Sequence, residues 1–264
     1  PFKIDLRQII RVKTPSPSCP YIGNRSYCLI IKGIQLGRLG NNLFTLASTY
    51  GLARTHSCYL YADGGWQSYL YFVNYTNEIR QLFTFRSHIV SEVAVFFRYI
   101  YKNRTETSSK RHVTQLELKN EIISSGNTWV GVHIRRGDYL RGGKNVSSLN
   151  FILNAMDYFV KKYGNKTIFI LTSDDKRYCK ITFGNLTNTY ISPTTFSPAQ
   201  DLAILTICQH TIFTIGTFGW WGGFLSSGEV IHDIKSPKDP RPREVGCARE
   251  TYFAPWFSYL NTTT

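Results

Sequence analysis

The sequence predicts an α/β fold, a mostly parallel sheet with helices on both faces. Three observations carry that expectation. Short apolar runs alternate with apolar stripes at helical spacing along most of the chain. The first apolar run feeds a glycine-rich turn and then a helix, the opening of a βαβ unit. Several later runs stop abruptly at Arg, Asp or Gly, residue types suited to the carboxyl edge of a parallel sheet, where ligands bind.

Taken in order, residues 1–27 are polar and proline-rich (TPSPSCP) and read as an irregular lead-in. CLII begins the first strand. Gly33, Gly37 and Gly40 punctuate the turn after it. Leu43, Leu46, Ala47 and Tyr50 recur at helical spacing, and CYLYAD (58–63) is the next strand. Residues 64–127 are aromatic-rich and less regular: QLFTF and SEVAVFFRYIY have mixed periodicity, and NRTETSSKRH (103–112) is a polar connection. A junction is therefore expected between 103 and 127, giving an N-terminal lobe over 1–125 and a C-terminal lobe over 126–264.

The second half is plainer. TWVGVHI (128–134) is a strand. Leu149, Ile152, Leu153, Met156, Phe159, Val160 and Tyr163 form a helical stripe that Gly164 stops. TIFILT (167–172) is a strand ending in SDD, and NTYIS (188–192) is a short one. Ser197 and Pro198 open a helix as N-cap and first-turn residue, running to about Gln209. TIFTIG (211–216) is a strand, TFGWWGGFLSSG a glycine-rich turn and short helix, and EVIHDI (229–234) the last strand.

Bulk properties limit the function. Across 264 residues no run reaches the ~18 apolar residues of a membrane span, and there is no signal-peptide pattern. The chain opens on Pro1 rather than Met, so an anchor or leader removed from it is expected. A net charge of +14 suits an anionic partner. The charge is scattered, with Lys110-Arg111 and Lys161-Lys162 the tightest other pairs, which disfavours nucleic acid. The six cysteines (Cys19, Cys28, Cys58, Cys179, Cys208, Cys247) show no C-x-x-C metal spacing; they allow three disulfides, with Cys19–Cys28 the most local closure. Cys208, in an apolar helical run, equally suits a buried thiol. Sequons begin at Asn24, Asn74, Asn103, Asn145, Asn165, Asn185 and Asn261. Chance predicts about three from the share of Ser and Thr, so the excess favours the secretory pathway, with these segments on the surface.

Four chemistry-bearing segments fall at strand exits: GRLGN, RRGDY, SDD and GTFGW. The last three share the second half and should converge on one pocket beyond the carboxyl ends of the strands. Arg135 and Arg136 supply two planar forks that match phosphate oxygens and stay charged when partly buried. Asp138 is spaced to hold one of them; a purely structural Arg–Asp pair is the competing reading. Gly216, Gly219, Gly222 and Gly223 surround a helix start, where they serve either an anion nest or tight packing. Asp174 and Asp175 suit hydrogen bonds to a sugar or base, because no D-x-D occurs and no metal is expected. His133 lies inside a strand, as a buried histidine would. Asp201 sits near a helix start, where it favours the dipole. Neither a G-x-G-x-x-G fingerprint nor a G-x-x-x-x-G-K-[ST] loop occurs.

VGVHIRRGDYL, TSDD after a strand, and DLAILTICQHTIFTIGTFGWWGGFLSSG resemble the sequence blocks of the α-1,2-fucosyltransferases, glycosyltransferase family 11. QLGRLGNNLF and FAPWF resemble that family's N-terminal block and closing segment, so the resemblance runs from about residue 33 to 257. It implies a GT-B-like fold: two Rossmann-like lobes with mostly parallel sheets, the C-terminal one binding the nucleotide sugar. It implies GDP-β-L-fucose as donor substrate, metal-independent inverting transfer without a cofactor, and the 2-hydroxyl of a terminal β-galactoside on a glycan as acceptor. A type II Golgi membrane protein with a lumenal catalytic domain is implied too.

Carried onto this chain, the resemblance puts Arg135 and Arg136 on the diphosphate, with His133 and Asp138 orienting them or touching the donor. Ser173 and Asp174 fall near guanine or ribose, and Asp201, Gly216, Thr217 and Phe218 close the donor pocket. Arg38, Gly40 and Asn41 match a G-R-x-G-N element, seen also in protein O-fucosyltransferases, that faces the reaction centre. Trp66 and Tyr69 are expected at the acceptor site, although aromatic core packing suits them equally. Asp138, Asp63 and Asn41 are the candidate bases; no acid lies between Asp138 and Asp157, where related enzymes carry one. Two rivals remain open: another transferase with a phosphorylated donor, such as a sulfotransferase, and a catalytically silent sugar-binding relative. A fucosyltransferase forming a different linkage is the nearer alternative.

Overall fold

The structure is a computed structural model that describes residues 29–32, 39–55, 59–62, 87–102, 113–233 and 253–260. The chain divides into two compact units, Pro1–Thr84 and Phe85–Thr264.

The first unit contains the expected βαβ segment. β1 (Leu29–Lys32) pairs in parallel with β2 (Tyr59–Ala62), Leu29 opposite Tyr59. Helix α1 (Leu39–Thr55) connects them and buries Leu43 completely. The strand-to-helix-to-strand order follows from the apolar run, the glycines and the Leu43 stripe.

The second unit carries a six-stranded sheet, every pairing parallel, in the order β5-β4-β3-β6-β7-β8. The strands are β3 (Thr128–Ile134), β4 (Thr167–Ser173), β5 (Thr189–Ile191), β6 (His210–Phe213), β7 (Val230–His232) and β8 (Phe257–Tyr259). Counted from β3, that order is 3-2-1-4-5-6, the doubly wound arrangement with a dinucleotide-type crevice where the winding reverses. Here the reversal lies between β3 and β6.

Helices cover both faces. α2 (Ser87–Tyr101), α3 (Gln115–Ser124), α7 (Pro198–Ile207) and α8 (Thr217–Leu225) are packed with one another and with the sheet, α5 (Leu149–Tyr163) and α6 (Lys176–Phe183) with the opposite face, and α4 (Gly137–Arg141) is a single short turn. β3 shows why. Its alternate residues Val130, Val132 and Ile134 join the core formed with Phe151, Ile152, Ala155, Met156 and Phe159 of α5 and Cys179 and Phe183 of α6. The intervening Trp129 meets Phe97 of α2 edge-on at 5.2 Å, and Gly131 lies under Leu205 of α7. A strand buried on both faces reads as a continuous apolar run, as VGVHI does.

Several elements depart from the sequence reading. SEVAVFFRYIY (91–101) lies within helix α2, along which Ile89, Val90, Val93, Ala94 and Phe97 are buried at helical spacing; its Val, Phe and Tyr content gave it a strand-like composition. The Cα packing groups α2 and α3 with the second unit from residue 85, whereas the sequence suggested a junction at 125/126. α3 begins at a capping box in which Thr114 and Glu117 exchange hydrogen bonds of 3.2 and 2.7 Å. α7 ends at Ile207 rather than Gln209, because the backbone and side chain of Gln209 both bond the Trp129 backbone at 2.9 Å. β6 stops at Phe213 rather than Gly216, since Thr214 turns to hold the exit of β3. The sequence reading contained no counterpart of α4, α6 or β8.

Cys179 and Cys208 are buried and free, which excludes a third disulfide among the six cysteines; each lies within packed apolar side chains. Cys19, Cys28, Cys58 and Cys247 lie outside the described residues.

Candidate functional site

The carboxyl ends of β3, β4 and β6 meet at the switch point. They bring together RRGDY, SDD and the start of GTFGW, the three segments expected to converge. Each is positioned by an identifiable hydrogen bond. The Arg135 amide donates to Thr214 Oγ1 at 2.9 Å, tying the exit of β3 to that of β6. Ser173 Oγ donates to the Ile134 carbonyl at 2.7 Å and accepts from the Asp175 amide at 2.9 Å, tying β3 to β4. Ser173 is thus spent on the scaffold.

Asp174 organises the arginine loop. Its Oδ1 accepts from the amides of Arg136 and Gly137 at 2.9 and 3.0 Å, and its Oδ2 faces Arg135 Nη1 at 3.2 Å. Burial alone would raise the carboxyl's pKa. The two amides and the Arg135 guanidinium outweigh it and hold the group below the usual carboxylate range. Asp174 therefore presents its charge to the loop it shapes.

The two arginines are held differently. Arg135 is gripped edge-on by two carboxylates: Nη2 lies 2.5 Å from Asp138 Oδ2 and Nη1 lies against Asp174. Arg136 lies over an aromatic face, its guanidinium carbon 3.9 Å from the centre of the Tyr178 ring. Asp175 Oδ2 is 3.6 Å from Arg136 Nε, too far for a hydrogen bond. Among the described residues the Arg136 guanidinium donates no hydrogen bond, and its buried Nε has the Asp175 charge nearby but no hydrogen-bond partner.

The third segment supplies a helix start. Gly216 caps α8 with φ +90°, a conformation glycine adopts without strain, and a Cβ there would stand 3.9 Å from Arg135 Cγ. Gly219 serves packing. A Cβ there would lie 2.7 Å from both His133 Nδ1 and Phe213 Cβ, so the helix approaches the sheet more closely than any larger residue permits. Of the two roles open to these glycines, Gly216 fits the backbone turn beside the arginines and Gly219 close packing. His133 is buried, with its ring centre 5.0 Å from that of Phe218. Burial first, and the Arg135 charge second, press its pKa down to about 3, so the imidazole stays neutral.

Asp201 belongs to a different arrangement. Its carboxylate pairs with Lys176 Nζ at 2.9 and 3.0 Å, and Lys176 also donates to the Pro193 carbonyl at 2.7 Å. Burial pushes the Asp201 carboxyl up to about 6, against the pull of Lys176. The pair ties α6 and α7 to the segment after β5.

Gly40 and Asn41 lie on α1 of the first unit, Gly40 buried and Asn41 exposed. Arg38, Asp63, Trp66 and Tyr69 lie outside the described residues. Asn145, Asn165 and Asn185 are exposed, as acceptors of a bulky glycan must be; Asn24, Asn74, Asn103 and Asn261 lie outside. Two site residues escaped the sequence reading. Thr214 looked like strand interior. Tyr178 became legible only as the third residue of a helix capped by Asp175, whose Oδ1 accepts from the Tyr178 amide at 3.1 Å.

The model of Glycosyl transferase family 11 matches residues 48–259. Galactoside alpha-(1,2)-fucosyltransferase 2 of Pongo pygmaeus is 32% identical over 177 residues, covering 62% of this chain and 45% of that protein. Galactoside 2-alpha-L-fucosyltransferase SEC1 of Bos taurus is 30% identical over 173 residues, covering 62% and 42%. Galactoside alpha-(1,2)-fucosyltransferase 2 of Sus scrofa is 26% identical over 292 residues, covering 86% and 77%. The chain thus matches under half the length of the first two relatives. Among solved structures, NodZ alpha-1,6-fucosyltransferase soaked with GDP-fucose aligns with a TM-score of 0.44 at 15% identity, over 80% of this chain and 96% of that one.

Proposed function

The chain belongs to glycosyl transferase family 11, and from that membership we propose that it moves L-fucose from GDP-β-L-fucose to the 2-hydroxyl of a terminal β-galactoside. The product linkage is α-1,2, with inversion at the anomeric carbon. The observation that carries the proposal is the state of Arg136: a guanidinium at the switch point of a doubly wound sheet, with no hydrogen bond to any described residue. A planar cation with uncommitted N–H groups in that crevice suits a diphosphate.

In the proposed reaction the bond from fucose C1 to the β-phosphate oxygen breaks, the electron pair leaves with GDP, and the fucosyl carbon becomes oxocarbenium-like. Arg135 and Arg136 stabilise the charge where it grows, on the β-phosphate, which favours the transition state over the ground state. Asp138 is assigned to orienting Arg135, because its Oδ2 already holds that guanidinium. The acceptor hydroxyl attacks the opposite face, and as the new C1–O bond forms its proton passes to solvent water. With Asp138 engaged, a dissociative path relies on the arginines more than on any base. The gathered strand exits support donor binding by the second unit; the Golgi lumen and a membrane anchor are proposed from the relatives' family and the seven sequons.

Transfer from GDP-fucose across an array of glycans, with GDP binding measured in parallel, tests this. Arg136→Ala should lower kcat by about 10²–10³, by analogy with loss of one oxyanion-hole donor. Near-normal turnover in that variant sinks the leaving-group role. GDP binding without transfer to any β-galactoside would favour the silent relative.

A further inference from the structure

We infer that Tyr178 is a positioning residue: its ring face holds the Arg136 guanidinium and leaves that group's Nη donors for the donor diphosphate. The inference rests on the GDP-sugar reading above. It starts from the contrast between the two arginines. Arg135 is held through its N–H groups, two of which face Asp138 and Asp174. Arg136 is held through its face, 3.9 Å above the Tyr178 ring centre. A face contact consumes no donors, because the attraction is between the cation and the ring quadrupole. Nε is buried beside Asp175, so the Nη N–H groups are the ones left for the fork-to-fork geometry that phosphate oxygens favour. A carboxylate at the same place would occupy the donors a diphosphate needs.

The platform is itself fixed. Tyr178 packs against the sheet core, and its ring meets Phe183 edge-on at 6.1 Å and 84°. Its amide donates to Asp175, whose other carboxylate oxygen stands 3.6 Å from Arg136 Nε. The Arg136 backbone is tied separately, through its amide to Asp174. The arginine is thus fixed at its backbone by one acid and at its head by an aromatic face.

GDP affinity, measured by titration calorimetry on the full chain, tests the inference in a double-mutant cycle of Tyr178→Leu and Arg136→Ala. Tyr178→Leu should weaken GDP binding about three- to thirtyfold, the span of cation–π strengths. Tyr178→Phe keeps the ring face and should stay within about twofold. In the Arg136→Ala background, Tyr178→Leu should have no further effect, because its action runs through the arginine. A series of increasingly fluorinated phenylalanines at position 178 preserves ring size while draining the quadrupole; affinity should fall with each fluorine, even where the leucine variant folds poorly. Wild-type affinity in Tyr178→Leu, an effect that survives in the Arg136→Ala background, or a flat fluorine series overturns the inference while leaving the GDP reading intact. Unchanged affinity in Arg136→Ala alone overturns both.

Discussion

Replacing Asp174 by Asn tests whether one carboxylate organises the arginine loop. The substitution keeps side-chain shape and removes the charge. Two amide donors, at 2.9 and 3.0 Å, then bond a neutral oxygen, losing about 1 kcal/mol each against a charged acceptor. Where Oδ2 faced Arg135 at 3.2 Å, an amide N–H₂ faces the guanidinium, donor against donor. The gross attraction there is about 5 kcal/mol at an effective dielectric constant of 20. Dehydration and the remaining Asp138 contact reduce the net loss to roughly 1–2 kcal/mol. The total, about 3–4 kcal/mol, lowers the melting temperature of a unit of this size by roughly 6–16 °C. GDP affinity should fall at least tenfold as the loop loosens. The acid limb gives a second readout. The folded carboxyl titrates below its ordinary value of 3.8, so its contribution is full above that pH and is lost as pH falls through the lower folded value. The Asn variant lacks that loss. Calorimetric unfolding across pH with GDP titration measures all three. A variant within about 0.5 kcal/mol of wild type, binding GDP within twofold, refutes the organising role.

Three further outcomes are expected. Lys176→Met leaves the Asp201 carboxylate buried without its cation and should cost about 3–5 kcal/mol in chemical denaturation; adding Asp201→Asn should recover part of it. Gly219→Ala places a methyl 2.7 Å from His133 Nδ1 and Phe213 Cβ, and should cost about 1–3 kcal/mol with a matching drop in melting temperature. His133 titrates at about 3 folded and 6.5 unfolded, so stability is full above pH 6.5 and is lost as pH falls toward 3, roughly 2 kcal/mol of it by pH 5. Asp201, raised to about 6, pulls the other way over that interval. Comparing wild type with His133→Gln cancels that term, so the variant should lose about 2 kcal/mol less between pH 7 and pH 5 by denaturant titration.

Much of the second unit was legible because its signals are local. A doubly buried strand must be an apolar run, and GVHI, FILT and TIFTI are such runs. Ser197 and Pro198 mark a helix start whatever lies around them. The convergence of RRGDY, SDD and GTFGW followed from one topological rule, that parallel strands deliver their carboxyl ends to one edge. The misses share a different cause. SEVAVFFRYIY is helical because its apolar side chains fit between α7 and the Trp129 face of β3, a tertiary demand that overrides β-rich composition. KRYCKITF drew no reading from sequence; it is a helix whose start is fixed by the Asp175 side chain, which accepts from the Tyr178 amide.

Sequence alone determined the chemical inventory: two adjacent arginines, a paired acid and a glycine-rich helix start, each at the end of an apolar run. Local pattern suffices there, since strand burial and chain-reversing residues are written in nearest neighbours. Only the tertiary structure decided how the inventory divides. Arg135 is held by carboxylates 3 and 39 positions away, Arg136 by a ring 42 positions away, and Asp201 is taken up by Lys176. Those partners meet because β3, β4 and β6 lie side by side, and which strands lie side by side depends on packing energies summed over the whole sheet.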